Sequence, residues 1–385
     1  AAIERIASLA SRVPGGHVTG NPGWAFAGPW ALLLMVVLWI RRDRPTAHVM
    51  HHRALWTGAT LAWGVLVWVM PVGANDSGEL AIHVLDVGQG DGIAIRTPGG
   101  HWILVDAGPR TPERDAGRDV VVPFLKAQGV RQLDLALTTH TDADHLGGMP
   151  YVLRAMHPSL VLDNGQPVGT ALFLDYQHTL TETGVPWHVA RTGDSLTIDS
   201  VSLLVLSPSD AWEQTHLETN GNSVVVRLRY RNFTALLTGD MDSLTEAAVL
   251  ARAEHADLLK VAHHGSSTST STAWLSRVTP TAAVISVGAH NRYGHPAPET
   301  LLRLAVRGIP YWRTDQGGAV TIRSDGRYFA IDQRRPHSWS ENLWCLLLKG
   351  LPSSVSSPTR SACTSEAPPV SFPASSPTSP APPRP

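Results

Sequence analysis

Within the stretch LTTHTDADHLGG, residues 137–148, four ligand-type side chains fall in six consecutive positions: His140, Asp142, Asp144 and His145. Imidazole and carboxylate together suit zinc, manganese and related divalent ions. Where a strand runs into a loop, alternate residues can aim at one centre while the last turns toward a second. A solvated polar loop would account for one such residue, not for this density. The chemistry indicated is metal binding.

Further residues of the same kind recur at the ends of apolar runs. Asp240 closes ALLTGD, where a carboxylate next to a buried strand needs a cation or donors; capping the following helix is the alternative. LLKVAHHGS puts His263 and His264 after another apolar strand, and Gly265 lets the chain turn there. NRYGHP places His295 in a glycine-proline turn, a position where histidine can equally be structural. LVDAG ends an early strand with Asp106, with turn capping as its plainer role. Asp86 and Asp91 flank the Gly-rich turn DVGQGD and read as backbone geometry rather than catalysis. Lys260 is a candidate phosphate contact, set against the simpler reading of a solvated strand-end lysine.

Holding these residues together requires a scaffold of strands and helices. Runs 81–87, 92–97 and 101–106 alternate as strands between Gly-rich turns. DVVVPFLKAQGV reads as a helix ended near Gly129, and LDLALTT as a buried strand leading into His140. Later strands are expected at SLVLD, SLLVLS, SVVVRLRY, FTALLTG, DLLKVAH, AAVISVG, AVTIRS and YFAID, with helices over 243–254 and 298–307. Many strands with interposed helices and no heptads or repeats predict an α/β domain over 78–334, its sheets packed face to face and flanked by helices.

Upstream the character differs. In residues 1–20, Ile3, Ile6, Leu9 and Val13 have helical spacing and predict an amphipathic interfacial helix. Within 21–75, charge-free runs at 24–40 and 55–72 are near the minimum for a bilayer span, with Trp24, Trp39, Trp56 and Trp68 toward their ends. A pair of buried helices is the alternative. Arg41, Arg42, Arg44 and Arg53 lie between the runs, so that loop should stay cytoplasmic and everything from about 74 onward should face outside. The expected location is the inner or plasma membrane, with the soluble domain extracytoplasmic. Residues 335–385 are dominated by Pro and Ser and are expected to be disordered. The chain starts Ala-Ala rather than Met, as a fragment would.

Composition excludes some classes. Lys plus Arg (31) nearly balances Asp plus Glu (32), so net charge announces no polyanion partner. Both cysteines, Cys345 and Cys363, lie in the tail, which leaves the α/β domain without a disulfide framework or thiolate zinc site, as suits an oxidising compartment.

Taken together, the motifs resemble the metallo-β-lactamase superfamily, whose His-x-His-x-Asp-His signature matches residues 140–145 except that Asp142 stands for the second His. Between the signature and Asp240, where the superfamily has a further histidine, this chain has ETNGNSVVV with Asn220, Asn222 and Ser223; His216 is nearby but a poor match. Within the superfamily, LDVGQGDGIAIRTPGGHWILVDAG, THTDADHLGG, NSVVVRLRY…LLTGD, LLKVAHHGSSTSTS and ISVGAHNRYGHP resemble, in that order, the C-terminal domain of ComEC-type DNA-internalisation proteins. The resemblance covers about 80–334, and the upstream runs look like the end of that family's channel.

The resemblance implies an αββα sandwich preceded by two transmembrane helices, and a nuclease of the DNA-uptake machinery that hydrolyses the strand not imported. It implies two divalent ions: His140 and Asp142 on one, Asp144 and His145 on the other, Asp240 between them, and His263 or His295 completing the second. His264 would then be a proton donor or phosphate contact, unless it is itself the terminal ligand, while Asp106 and Asn222 would orient ligands. The poorer nitrogen content shifts the preference toward Mn²⁺, with Mg²⁺ or Zn²⁺ as alternatives. Partners implied are DNA, the membrane, the rest of a competence channel and its DNA receptor, with no nucleotide cofactor. Competing readings are a silent DNA-guiding domain and a small-molecule hydrolase of the superfamily. No aromatic stacking platform for single-stranded DNA is legible.

Overall fold

A computed structural model of the chain describes residues 78–209, 218–289, 291–333 and 370–375. The chain divides into two compact units, 1–75 with 126–129 and 76–125 with 130–385. Of the first, only 126–129 are described. The interfacial helix and the two membrane runs expected upstream lie outside the described residues. Among the described residues no helix is long and apolar enough to cross a membrane.

The larger unit is built on two sheets. Among the described residues the first has nine strands, with β16 (Val370–Pro373), β15 (Tyr328–Gln333) and β14 (Val320–Ser324) followed by β1 through β6 in sequence order. Its centre runs β1 (Leu80–Val84), β2 (Ile93–Arg96), β3 (Trp102–Val105) and β4 (Leu135–Leu137), antiparallel until β3 and parallel from β3 through β5 (Val161–Asp163) to β6 (Trp187–Val189). Among the described residues the second sheet has seven strands, running from β13 through β12, β11, β10 and β9 to β8 (Val201–Ser207) and β7 (Ser195–Ile198). Here β9 (Val225–Tyr230) and β10 (Phe233–Leu237) form a hairpin, and β11 (Leu258–Lys260), β12 (Ala282–Ile285) and β13 (Tyr311–Arg313) follow in parallel.

Strand alternation decides what each face meets. Ile82, Val84, Ile93, Ile95, Ile103 and Val105 of the first sheet share one core with Val205, Val226, Leu228, Phe233, Ala235 and Leu237 of the second. The intervening residues point outward onto helices. Ala94, Trp102, Leu104 and Ala136 pack under α1 (Val122–Ala127), α2 (Ala143–Leu146), α3 (Met149–Met156) and α4 (Ala171–Thr183). Leu236, Leu259, Ala283 and Ile285 pack under α5 (Ser243–Val249), α6 (Thr272–Val278) and α7 (Pro298–Val306). The result is an αββα sandwich. Because both faces of the central strands are covered, β4, β11 and β12 are buried at every residue; β4 and β12 read as unbroken apolar runs, and β11 is apolar up to its last residue, Lys260.

One expectation for the tail is corrected. Val370–Pro373 form β16, an antiparallel edge strand on β15 (Tyr328–Gln333), rather than disordered chain. The reason is local: Phe372 stacks on Phe329 at 5.1 Å and meets Trp312 edge-on at 6.3 Å, and Ser375 binds the Asp257 carboxylate through its amide and hydroxyl.

Candidate metal centre

Parallel strands that alternate with helices bring their C-terminal ends to one edge, and the ligand-type residues collect there. Asp106 follows β3, His140 follows β4, Asp240 follows β10, and His263 and His264 follow β11. Asp142 sits just before α2, which carries Asp144 and His145. Asp240 is not a helix cap; Asp242 fills that role by accepting from the Thr245 amide at 2.8 Å, which frees the carboxylate before it.

Four of these side chains converge. One donor atom from each of Asp144, His145, Asp240 and His264 lies within 4.8 Å of the others. His145 Nε2 is 3.1 Å from Asp240 Oδ1 and 3.2 Å from His264 Nε2. His264 Nε2 is 3.2 Å from Asp240 Oδ2 and 3.3 Å from Asp144 Oδ2. Bonds of about 2.0–2.2 Å to a single ion hold its donors roughly 3.0–3.5 Å apart, so this spacing fits one divalent cation. Two imidazole Nε2 atoms at 3.2 Å gain nothing from each other, and an ion between them explains why they meet. The side chains of His145, Asp240 and His264 are at most 3% exposed, whereas Asp144 is 29% exposed and marks the opening.

A second position is thinner. His140 is fully buried, and its Nε2 has no hydrogen-bond partner, which is costly unless something else takes the lone pair. The nearest carboxylate oxygen in an ion pair with it is Asp142 Oδ2 at 3.7 Å, while Asp142 Oδ1 accepts from the Thr219 hydroxyl at 2.5 Å. The His140 and His145 rings are 4.2 Å apart. The donors present therefore fit metal at both positions, with four convergent side chains at one and two at the other.

The layer behind the donors fixes their orientation. Asp106 Oδ2 pairs with His145 Nδ1 at 2.8 Å, which leaves Nε2 facing the cluster. Asp106 also accepts from the Thr139 amide and hydroxyl, each at 2.7 Å, and Thr139 Oγ1 is 3.1 Å from His140 Nδ1. The Ser286 carbonyl lies 2.8 Å from His264 Nδ1 and holds that ring the same way. The backbone at His263 (φ 49°) and His264 (φ 53°) is left-handed, a conformation costly for non-glycine residues that here aims both rings off one turn. Gly90 is required by a close approach: a methyl group there would run into the Asp144 carbonyl.

Charge follows from this packing. Burial works against protonation of His145 and His264, yet Asp240 and its neighbours outweigh it, raising His264 to about 9 and His145 well above the usual imidazole value. Burial, aided by His145, pushes His140 down to about 3. Burial and the two neighbouring histidines lower His295 to about 4. The metal-free protein thus carries protons on the two rings that must shed them to ligate. Uptake of a divalent ion is expected to release protons, with apparent affinity rising with pH up to about 9. Titration calorimetry in buffers of different ionisation enthalpy measures this; an affinity flat between pH 6 and 9 would remove both rings from the ligand set. In the metal-free protein the His264 contribution to stability is complete below pH 6.5 and lost as pH rises through about 9.

Other expected site residues fall elsewhere. His263 is partly exposed, its Nε2 3.8 Å from Asp240 Oδ2. His295 stands at the rim, its ring 5.4 Å from that of His263 and 6.5 Å from that of His264, outside the four-donor group. Lys260 is neither solvated nor free to meet a phosphate. It is 1% exposed, because β11 is covered on both faces, and Nζ is held by Asp91 Oδ2 at 2.5 Å and the Gly239 carbonyl at 3.2 Å. Asn222 orients no ligand either, since its amide turns to Gln166 Oε1 at 3.2 Å. The chain is extended at the next residue, so it is Ser223 that faces the site, accepting from the Asp240 amide at 3.1 Å and lying 3.5 Å from His140 Nδ1. Asp91 reads in the sequence as backbone geometry, yet it stands directly behind the cluster. It is 1% exposed, and its oxygens lie 3.6 Å from His264 Nδ1 and 3.9 Å from His145 Nδ1. The only signal in the sequence is an aspartate directly before an apolar strand.

Residues 85–290, more than half of the chain, match the family described as the metallo-beta-lactamase superfamily. ComE operon protein 3 of Bacillus subtilis (strain 168) is 31% identical over 283 residues, 69% of this chain and 36% of that protein. Competence protein ComA of Neisseria gonorrhoeae is 33% identical over 245 residues, 63% of this chain and 32% of that protein. The chain thus spans about a third of the length of these relatives. The metallo-beta-lactamase fold protein YhfI of Bacillus subtilis superposes on 64% of this chain and all of its own, at 14% identity and a TM-score of 0.43.

Proposed function

Because the chain belongs to the metallo-beta-lactamase superfamily and is related to competence proteins of the ComEC type, we propose that it is a metal-dependent phosphodiesterase acting on DNA during uptake. The observation that carries the hydrolytic reading is the convergence of Asp144, His145, Asp240 and His264 beside the unpartnered Nε2 of buried His140. Divalent ions held there would supply a water acidic enough to act as nucleophile near neutral pH and a counter-charge for phosphate oxygens. The reading favours Mn²⁺, because one carboxylate, Asp142, stands where the superfamily signature has its second histidine.

The remaining work falls to side chains. Asp240, with carboxylate oxygens toward both His145 and His264, would be the shared ligand. His140 and Asp142 would hold the second ion. Asp144, at the open side of the cluster, and partly exposed His263 are placed to meet substrate and solvent. His263 is held below the ordinary imidazole value by burial, so it is neutral at pH 7 and able to take a proton from water. The substrate strand would be the one not imported, with the domain outside the plasma membrane beside the remainder of the channel and its DNA receptor.

The test uses the full chain stripped of metal and then supplied with Mn²⁺, Mg²⁺ or Zn²⁺, with labelled single- and double-stranded DNA as substrates. Cleavage that requires an added ion is expected, fastest with Mn²⁺. Bound metal with no cleavage of either substrate would remove the nuclease reading and leave a DNA-guiding domain or a small-molecule hydrolase.

A further inference from the structure

The loop after β12 carries an aromatic group that the metal centre does not use. Tyr293 is 55% exposed, and a single exposed tyrosine means little by itself. Three features set this one apart. Its ring is stacked on His295, with centroids 5.8 Å apart and planes at 26°. The exposed Arg292 guanidinium lies over the Tyr293 ring, 5.2 Å from its centroid, and donates to its hydroxyl at 3.1 Å. The loop is also pinned from within. Asn291 Oδ1 accepts from the amides of Tyr293 at 3.2 Å and His295 at 3.0 Å, and Asn291 Nδ2 donates to the carbonyls of Gly288 at 3.0 Å and His295 at 2.7 Å.

The stack leads inward. His295 neighbours His264, whose Nε2 belongs to the four-donor cluster, so Tyr293 is two ring-to-ring steps from the metal position. Backbone phosphates repeat about every 3.4 Å along a strand and spread further when it is extended. A base resting on Tyr293 would therefore belong to a nucleotide within a few positions of a phosphodiester at the cluster. Aromatic faces bind bases without regard to sequence, and an adjacent guanidinium serves the backbone phosphate.

We propose that Tyr293 and Arg292 form a base-stacking shelf that seats single-stranded DNA at the mouth of the metal centre. Tyr293 takes the base once Arg292 turns from the ring to a neighbouring phosphate. This rests on the phosphodiesterase reading and adds to it that the strand is held unpaired, since a base inside a duplex has no free face to offer.

The test is fluorescence anisotropy of the metal-loaded full chain with a labelled phosphorothioate oligothymidylate, beside an abasic strand of equal length. Tyr293→Ala should weaken binding of the base-bearing strand by about 5- to 100-fold, while Tyr293→Phe stays close to the unaltered chain. Arg292→Ala should lower the salt slope by about 0.7, and Tyr293→Ala should leave that slope unchanged. The unaltered chain should prefer the base-bearing strand to the abasic one, and Tyr293→Ala should not. Equal affinity of the unaltered chain for both strands overturns the shelf, whether or not the alanine variant folds. If the unaltered chain binds and cleaves DNA but Tyr293→Ala binds it as tightly, the shelf falls and the phosphodiesterase reading stands. If the unaltered chain neither binds nor cleaves DNA, both fall.

Discussion

Replacing Asp240 with alanine should abolish metal-dependent hydrolysis, a loss of about 10³-fold or more, and release the ion held with Asp144, His145 and His264. Both oxygens of this carboxylate are engaged, Oδ1 toward His145 at 3.1 Å and Oδ2 toward His264 at 3.2 Å. Removal also leaves two histidines that carry raised proton affinity without the carboxylate that sustains it. A metal ion contributes several kcal/mol of charge stabilisation in the transition state, and each 1.36 kcal/mol is about tenfold in rate, which sets the size expected. Metal content by atomic spectroscopy and turnover of a labelled oligonucleotide read the two effects separately. His264→Ala should behave alike, whereas His263→Ala, whose ring is partly exposed and 3.8 Å from Asp240, should keep its metal and lose activity more modestly. A His263 variant that loses its metal while the His264 variant keeps it would reverse the assignment of the terminal ligand.

Lys260 and Asp91 should show the largest effect on stability. Both side chains are 2% exposed, with Nζ 2.5 Å from Asp91 Oδ2 and 3.8 Å from Asp240 Oδ1. Burial disfavours the charge on Lys260, but Asp91 and Asp240 more than offset it, so the ammonium keeps its proton. Removing one partner of a buried pair leaves an uncompensated charge and costs about 3–5 kcal/mol. Lys260→Met alone and Asp91→Asn alone should each destabilise the metal-free protein by that order in urea denaturation. The double variant should recover much of the loss, because neither charge is then stranded. Purely additive losses would mean that the two residues act separately. Removing the fixed positive charge beside Asp240 should also tighten divalent-ion binding, as Coulomb's law requires where the dielectric is low.

Much of the scaffold was legible because its strands are short apolar runs ended by glycine, and the covered ones such as LAL and AAVI leave no competing period. Asp240 was legible because it sits just beyond such a run, and His140, Asp144 and His145 because ligand-type residues crowd into six consecutive positions. The layer behind them was not. Asp91, Thr139 and Ser223 have no special type or spacing, and they matter only because sheets distant in sequence bring them within 4 Å of a ring or an amide. Lys260 misled because a strand-end lysine is ordinarily wet, and no local pattern reveals that both faces of its strand are covered. Which of His263 and His264 faces the cluster depends on two left-handed residues in succession, which histidine seldom adopts and a sequence does not announce.

The edge strand Val370–Pro373 shows what the Pro/Ser segment must supply. Four ladder residues, the Phe372 contacts with Phe329 and Trp312, and the Ser375 contacts with Asp257 tie 370–375 to a fixed register. Inserting a single residue between Val370 and Phe372 would turn the aromatic ring to the opposite face of the sheet, because side chains alternate along a strand. A stretch of unremarkable composition thus works as a latch keyed by one ring.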